Sequence, residues 1–195
     1  SMAYDLKNVF YLDVEQTIAA TTAGNTTTQL DLSAYVDSIA RGRQKGTGLA
    51  IYKVHYSVSD TSEGYKPMSV ADTGSFRAGL VAGAGLGTNA TGAVTLTGTA
   101  NSPTANNALA VMGFDWYGAK TTVANASTPG GETFTKTFLE PSKEVPYVVV
   151  RDNICVVSTI ETNMINVTYI SFRLECAQVT LDQATMNQLL RTQTV

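Results

Sequence analysis

The stretch Val167–Val179, which reads VTYISFRLECAQV, decides the fold class because its apolar and polar residues alternate with a period of two. One face of such a strand would carry Ile170, Phe172, Leu174 and Cys176, and the other would carry Tyr169, Ser171, Arg173 and Glu175. This pattern is typical of an antiparallel strand that has one buried face and one wet face.

A second stretch, Leu49–Val58, alternates in the same way. Its apolar face would carry Tyr52, Val54, Tyr56 and Val58, opposite Lys53, His55 and Ser57. We therefore expect Tyr52, Val54 and Tyr56 to share one core with the apolar row of Val167–Val179. His55, the one histidine of the chain, should face solvent.

Short β-rich runs recur between these two stretches and before them. They are Val9–Glu15, Gln29–Leu32, Phe76–Val81, Ala93–Thr97, Leu109–Tyr117, Thr133–Phe138 and Tyr147–Thr159. The last of these reads as one strand with a bulge or tight turn at Asp152-Asn153. Stretches rich in Thr, Gly, Asn and Ala read as loops, namely Thr21–Thr28, Ala82–Thr91 and Thr121–Gly131.

Two short helices are predicted. Ser33 can cap a helical turn near residues 33–41, with Gly42 just past its end. The run Thr180-Leu181-Asp182-Gln183 matches a capping box that would open a helix over about 181–191. Together these elements predict an all-β jelly-roll or Greek-key β-sandwich, built as a single domain over residues 1–195.

The charge balance argues against a protein devoted to nucleic-acid binding, since the net charge is −3 and the pI is about 5.1. The densest basic cluster, Arg41, Arg43 and Lys45, sits among glycines. It is a solvated turn or, less simply, a phosphate contact. No apolar run approaches the roughly 20 residues that cross a bilayer, and Ser1–Asp5 shows no basic and apolar leader. We therefore expect no membrane partner and no signal peptide.

Catalytic motifs are scarce in this sequence. A single histidine leaves almost nothing from which to build a histidine triad or a multi-histidine metal site. Cys155 and Cys176 are far apart in sequence, and buried free thiols are the simplest interpretation. We expect no enzyme activity, no metal and no cofactor.

The chain resembles the single jelly-roll major capsid proteins of small icosahedral viruses, particularly those with small circular DNA genomes. The resemblance lies in the layout: a β-rich start, the run Leu30–Asp37, a basic glycine-rich turn, the strand Leu49–Val58, and a long final strand followed by a short helix. It implies a virion protein whose identical copies form a shell around the genome, with strands as the wall and loops as contacts. Such proteins often begin with a basic arm, whereas Met2–Asp13 carries only Lys7.

The leading hypothesis is therefore a self-assembling coat protein whose main partner is itself. Packaged nucleic acid would be bound non-specifically, with Arg41, Arg43 and Lys45 as the candidate contacts. The alternative is a carbohydrate- or cell-surface-binding β-sandwich, such as an appendage, fibre or lectin-like domain. In that case exposed aromatics such as Trp116, Tyr117 and Tyr65 could stack on sugars, although each is more simply a core or rim residue.

Overall fold

The computed structural model describes residues 8–20, 24–38, 45–61, 73–82, 86–88, 94–96, 109–119, 133–160, 164 and 166–193. Within these residues the chain forms eleven strands and one helix. In chain order they are β1 (Phe10–Ile18), β2 (Gly24–Asp31), β3 (Lys45–Asp60), β4 (Thr73–Ala82), β5 (Leu86–Thr88), β6 (Val94–Leu96), β7 (Ala110–Ala119), β8 (Thr133–Leu139), β9 (Tyr147–Val149), β10 (Asn153–Ile160), β11 (Thr168–Asp182) and α1 (Gln183–Thr192).

The strands build two antiparallel sheets whose inner faces share one core. The first sheet has the order β1-β11-β3-β9, and the second has β2-β10-β4-β7-β8. β5 and β6 pair separately as a hairpin. From β1 to β4, and again from β8 to β11, the chain changes sheet at every step. This connectivity is that of a jelly roll, so the predicted fold class is confirmed.

Large apolar side chains fill the space between the sheets. In β11 the residues Ile170, Phe172 and Leu174 are each at most 2% exposed, as their alternation predicts. The Phe114 ring of β7 lies between the sheets, with its centroid 4.2 Å from that of Tyr56 and 6.1 Å from that of Phe172. The prediction of one domain over residues 1–195 reaches beyond the described residues and stays a prediction.

A bulge in β3 corrects the predicted inward row of that strand. Val54 is buried and Tyr56 packs against the core, as predicted, but Tyr52 is only half-buried and lies outside the core cluster. The register explains the difference: Glu175 pairs with Lys53, whereas Cys176 pairs with Ile51, so Tyr52 has no partner on β11. The extra residue moves the inward row from Val54 to Ile51.

Helix α1 covers one end of the outer face of the first sheet. Met186, Leu189 and Leu190 pack there against a cluster made of Ala50, Val148, Val150, Val179 and Leu181. The helix therefore starts later than its predicted range of 181–191. Leu181 is buried beneath it and continues β11, and Asp182 rather than Thr180 is the N-cap, with its Oδ1 accepting from the Thr185 N–H at 2.7 Å.

The helix predicted near 33–41 is wrong in its described part. Residues 33–35 form a single turn, in which the Asp31 carboxylate accepts from the Ser33 N–H at 2.8 Å. Asp37 then pairs with Thr47 through two backbone hydrogen bonds of 2.9 Å, and that β-bridge ends the turn. Residues 39–44 lie outside the described part of the chain.

The run Tyr147–Thr159 is two strands in different sheets, not one bulged strand. β9 ends at Val149 in the first sheet, and β10 begins at Asn153 in the second. At the crossing, the Asp152 carbonyl accepts from the Leu32 N–H at 2.6 Å. A period of two cannot distinguish a bulge from a change of sheet, because the residues on either side alternate in both cases.

Two predicted loops contain strands as well. β2 begins at Gly24 and runs through the threonines of Thr21–Thr28, where it pairs with β10. Ala82 belongs to β4, and β5 lies within Ala82–Thr91. Of the third predicted loop, Thr121–Gly131, no residue is described.

Candidate functional site

The predicted basic cluster is described only at its last residue. Arg41 and Arg43 lie outside the described residues, and Lys45 is the exposed first residue of β3, opposite Asp182 in the strand register. The pKa of the Asp182 carboxyl is lowered, mainly by the hydrogen bonds from Thr185 and to a smaller degree by the charge of Lys45. The acidic N-cap thus offsets part of this one cation, and a nucleic-acid contact at the cluster stays a prediction.

The outer face of the first sheet carries an open groove of about 710 Å³, lined by residues of β1, β3 and β11. Cross-strand pairs order its charges. The His55 Nε2 lies 2.8 Å from the Glu175 Oε2, and the Arg173 Nε lies 3.0 Å from the Asp13 Oδ1. The prediction that His55 faces solvent is confirmed, since half of its side chain is exposed. These pairs lie between residues that the register places side by side, so they stabilise strand pairing.

The outer face of the second sheet carries an aromatic and ionic row. Arg77 donates from Nε and Nη2 to the two carboxylate oxygens of Asp115, at 2.7 and 3.0 Å. Its guanidinium also lies 4.4 Å from the ring centroid of Phe138. Beside this pair, Tyr117 and Phe134 stack with their centroids 4.8 Å apart, and both are exposed. Phe134 was not among the aromatic candidates from the sequence, although its place in the alternating run Thr133–Phe138 could have indicated it.

The candidate sugar-stacking residues are therefore not brought together. Trp116 is a core residue, 2% exposed, and stacks on Phe76 at 5.0 Å. A Cβ on Gly118 would lie 2.4 Å from the Trp116 ring, so the indole needs glycine at that position. Tyr117 is exposed on the opposite face of the same strand, and Tyr65 lies outside the described residues.

A buried glutamine links the two sheets, and the sequence analysis missed it. Gln16 of β1 is fully buried; its Nε2 donates to the carbonyls of Val156 and Thr26 at 3.0 and 3.1 Å. Its Oε1 accepts from the Ser158 hydroxyl. The signal was present, because Gln16 falls in the inward row between Val14 and Ile18.

The two cysteines are free and fully buried, one in each sheet, as predicted. Burial raises the pKa of both thiols to about 12. Among the residues that the structure describes, no three His, Cys, Asp or Glu side chains gather as a metal site would require. No helix in that part of the chain is long and apolar enough to cross a membrane.

No protein-family model and no curated protein matches the chain. Solved structures of polyomavirus VP1 do. VP1 of Human Polyomavirus 12, in complex with 3'-sialyllactosamine, is 10% identical with a TM-score of 0.44, covering 90% of this chain and 100% of that chain. The VP1 pentamer of Human Polyomavirus 6 is 10% identical with a TM-score of 0.41, covering 93% and 99%.

VP1 of Merkel Cell Polyomavirus, in complex with disialyllactose, is 8% identical with a TM-score of 0.42, covering 93% and 98%. Because identity and overlap are both low, the function of this chain is inferred from its own strand order and surfaces.

Proposed function

We propose that this chain is a viral coat protein whose copies assemble into an icosahedral shell around the genome. The observation that carries the proposal is the strand order, β1-β11-β3-β9 facing β2-β10-β4-β7. Jelly rolls with two such sheets serve as viral capsid domains, as lectins and as cupins. The choice among these rests on what the interior and the two outer faces offer.

The described interior favours a structural role over an enzyme. Phe114, Phe172 and Trp116 fill the space between the sheets where a cupin-type barrel would hold a ligand. The single histidine lies outside this space, on the wet face of the first sheet, and is paired with Glu175. Shape and surface, rather than a reactive centre, are therefore what this fold presents.

Electron microscopy and light scattering of the purified chain test the proposal directly. We expect closed particles of uniform diameter, with a mass many times that of one chain. A monomer that persists across salt and protein concentration would overturn the proposal. Particles that dissociate to one uniform smaller ring on dilution would still support it.

The genome contact has a matched control. Arg41, Arg43 and Lys45 changed together to Ser should lower the encapsidated nucleic acid and flatten its salt dependence by about 0.7 log units of affinity per lost phosphate contact on single strands. The control changes the exposed Lys53, Lys136 and Lys143 to Ser, which alters the net charge by the same amount. Equal nucleic-acid content in both variants would remove the contact role of the cluster.

A sugar-binding β-sandwich is the second candidate, and the exposed Tyr117–Phe134 stack is the observation that favours it. Its test is a glycan-binding assay on the wild type and on a Tyr117→Ala, Phe134→Ala double variant. A monodisperse monomer whose glycan binding disappears in the double variant would support this candidate. Intact particles without such binding would support the coat protein.

A further inference from the structure

The strand β9 is an edge of the first sheet, and its outer side is open to pairing. It bonds to β3 on its inner side, where Val149 is paired with Leu49. Because successive residues of a strand point their N–H and C=O groups to opposite sides, the backbone groups of Val148 and Val150 point away from β3. An edge of this kind is a ready template for another strand.

The side chain of Gln193 takes up these open groups. Its Oε1 accepts from the Val150 N–H at 3.0 Å, and its Nε2 donates to the Val148 carbonyl at 2.6 Å. One side-chain amide thus makes the two hydrogen bonds that a single residue of a parallel strand would make to β9. Gln193 is 2% exposed, so water does not compete for these bonds.

Three further contacts hold this amide in place. The Gln193 N–H donates to the Leu189 carbonyl at 2.9 Å, which ties the residue to the end of α1. The Gln193 carbonyl accepts from the Arg151 Nε at 3.1 Å. Met186 anchors the helix on the apolar cluster that includes Val148 and Val150. The amide is therefore positioned by a helix that must itself stay docked.

The covered edge differs from other edges of the two sheets. β1 carries Asp13 and Glu15, and β8 carries Lys136 and a shift of register, all features that discourage pairing with another chain. β9 reads Tyr-Val-Val and continues into Val150, without a charge. Gln193 and α1 supply the protection that its own sequence lacks.

We propose that Gln193 and α1 form a releasable cap on β9, and that the surface beneath accepts β9 of a second copy once the cap is withdrawn. A second copy fits because two freed edges present the same outward groups of Val148 and Val150 about a twofold axis. Their apolar side chains would also continue the cluster that α1 leaves. This inference concerns one sheet edge and stands whether or not the copies close into a shell.

Gln193→Ala tests the cap, and Gln188→Ala, at an exposed position of α1, is the control. In the first variant we expect amide exchange at Val150 to accelerate by roughly tenfold or more at low protein concentration. At high concentration we expect the mass to double relative to the wild type and the Val150 amide to regain protection. Fast exchange without any gain in mass would overturn the second-copy surface, and unchanged exchange would overturn the cap.

Gln193→Glu decides the matter if the alanine variant fails to fold. A protonated carboxyl can donate to the Val148 carbonyl and accept from the Val150 N–H as the amide does, whereas a carboxylate can only accept. The neighbouring charge is Arg151, and Tyr147 stays neutral because burial raises its pKa to about 12. The variant should match the wild type near pH 4 and pair reversibly near pH 8, on either side of the raised pKa of a buried glutamate. Identical behaviour at both pH values would overturn the proposal.

Discussion

Gln16 shows how one polar side chain can fix the relation of two sheets. Its amide reaches from β1 in the first sheet to β2 and β10 in the second, and its donor and acceptor atoms are all used. A satisfied buried amide constrains geometry more sharply than an apolar residue, because hydrogen bonds are directional. The offset between β1 and β10 is therefore set here.

We expect Gln16→Leu to destabilise the fold. The change leaves the carbonyls of Thr26 and Val156 and the Ser158 hydroxyl without this partner, at about 1–3 kcal/mol for a buried group left unsatisfied. Urea unfolding measures the loss. Gln29→Leu, at an exposed position of β2, should stay within about 0.5 kcal/mol of the wild type. Equal losses in both variants would contradict the role assigned to Gln16.

The two thiols should be inert while the chain is folded. Burial raises the pKa of Cys155 and Cys176 to about 12, so almost no thiolate is present near neutral pH. Iodoacetamide followed by intact-mass measurement should show no added groups on the native protein and two after denaturation in guanidinium. Labelling of native protein at the rate of an exposed thiol would contradict this burial.

At the scale of elements, alternation predicts a strand's faces well where one strand keeps one register. The row Ile170–Cys176 was predicted correctly because its inward residues are all apolar and β11 carries no extra residue there. Tyr52 was misplaced because the bulge in β3 is a property of its pairing with β11, not of its own sequence. The split between β9 and β10 was missed for a related reason, since membership of a sheet depends on long-range partners.

Polar residues with buried roles were missed because a sequence pattern assigns them to solvent by default. Gln16 and Gln193 are both inside, yet each is buried only because backbone groups distant in sequence receive its hydrogen bonds. The basic cluster shows the opposite case: the sequence predicted a site, but just Lys45 of it is described. Composition alone could not decide its role.

We expect Phe172→Ala to cost about 3–5 kcal/mol of unfolding free energy, as is usual when a large buried ring is removed. Phe172 is 2% exposed and packs against Phe114 of the facing sheet. Ser171→Ala, one residue away on the wet face, is the matched control and should change little. Chemical denaturation of both variants checks the prediction, and a small loss for Phe172 would place this row outside the core.

The cap of α1 should weaken in acid. The pKa of Asp182 is lowered in the folded chain because the Thr185 N–H bonds to its charged form. A depressed pKa means that this stabilisation is fully present above the unfolded value of about 3.9 and is lost as the pH falls through the folded value. Amide exchange at Thr185 should therefore accelerate below about pH 4 in the wild type. In Asp182→Asn, which keeps an oxygen acceptor, that acceleration should disappear; its persistence would assign the effect to another group.

At the scale of the whole molecule, the two outer faces differ in character. The first sheet offers a charged groove whose ion pairs are formed within the chain, and the second offers an aromatic row beside the Arg77–Asp115 pair. Contacts between copies through the groove would have to desolvate those pairs, which is unfavourable unless each finds new partners. The aromatic row is the less costly face to bury.

An acidic chain should assemble without nucleic acid. With a net charge of −3, copies gain little from a polyanion, so we expect nuclease-treated protein to form empty particles. Absorbance ratios and electron microscopy of the same sample measure content and shape together. Assembly that occurs only after nucleic acid is added would contradict this expectation and would make the polyanion a scaffold.

The position of β11 between β1 and β3 has a consequence for biosynthesis. β1 emerges early from the ribosome, but its hydrogen-bonded neighbour follows every other strand in the chain. The first sheet therefore cannot close during translation, and β1 must wait for a partner more than a hundred residues later. Such non-local pairing slows folding to the range of roughly milliseconds to seconds. Nascent chains would expose an unfinished sheet in that interval, and only released chains would be competent subunits.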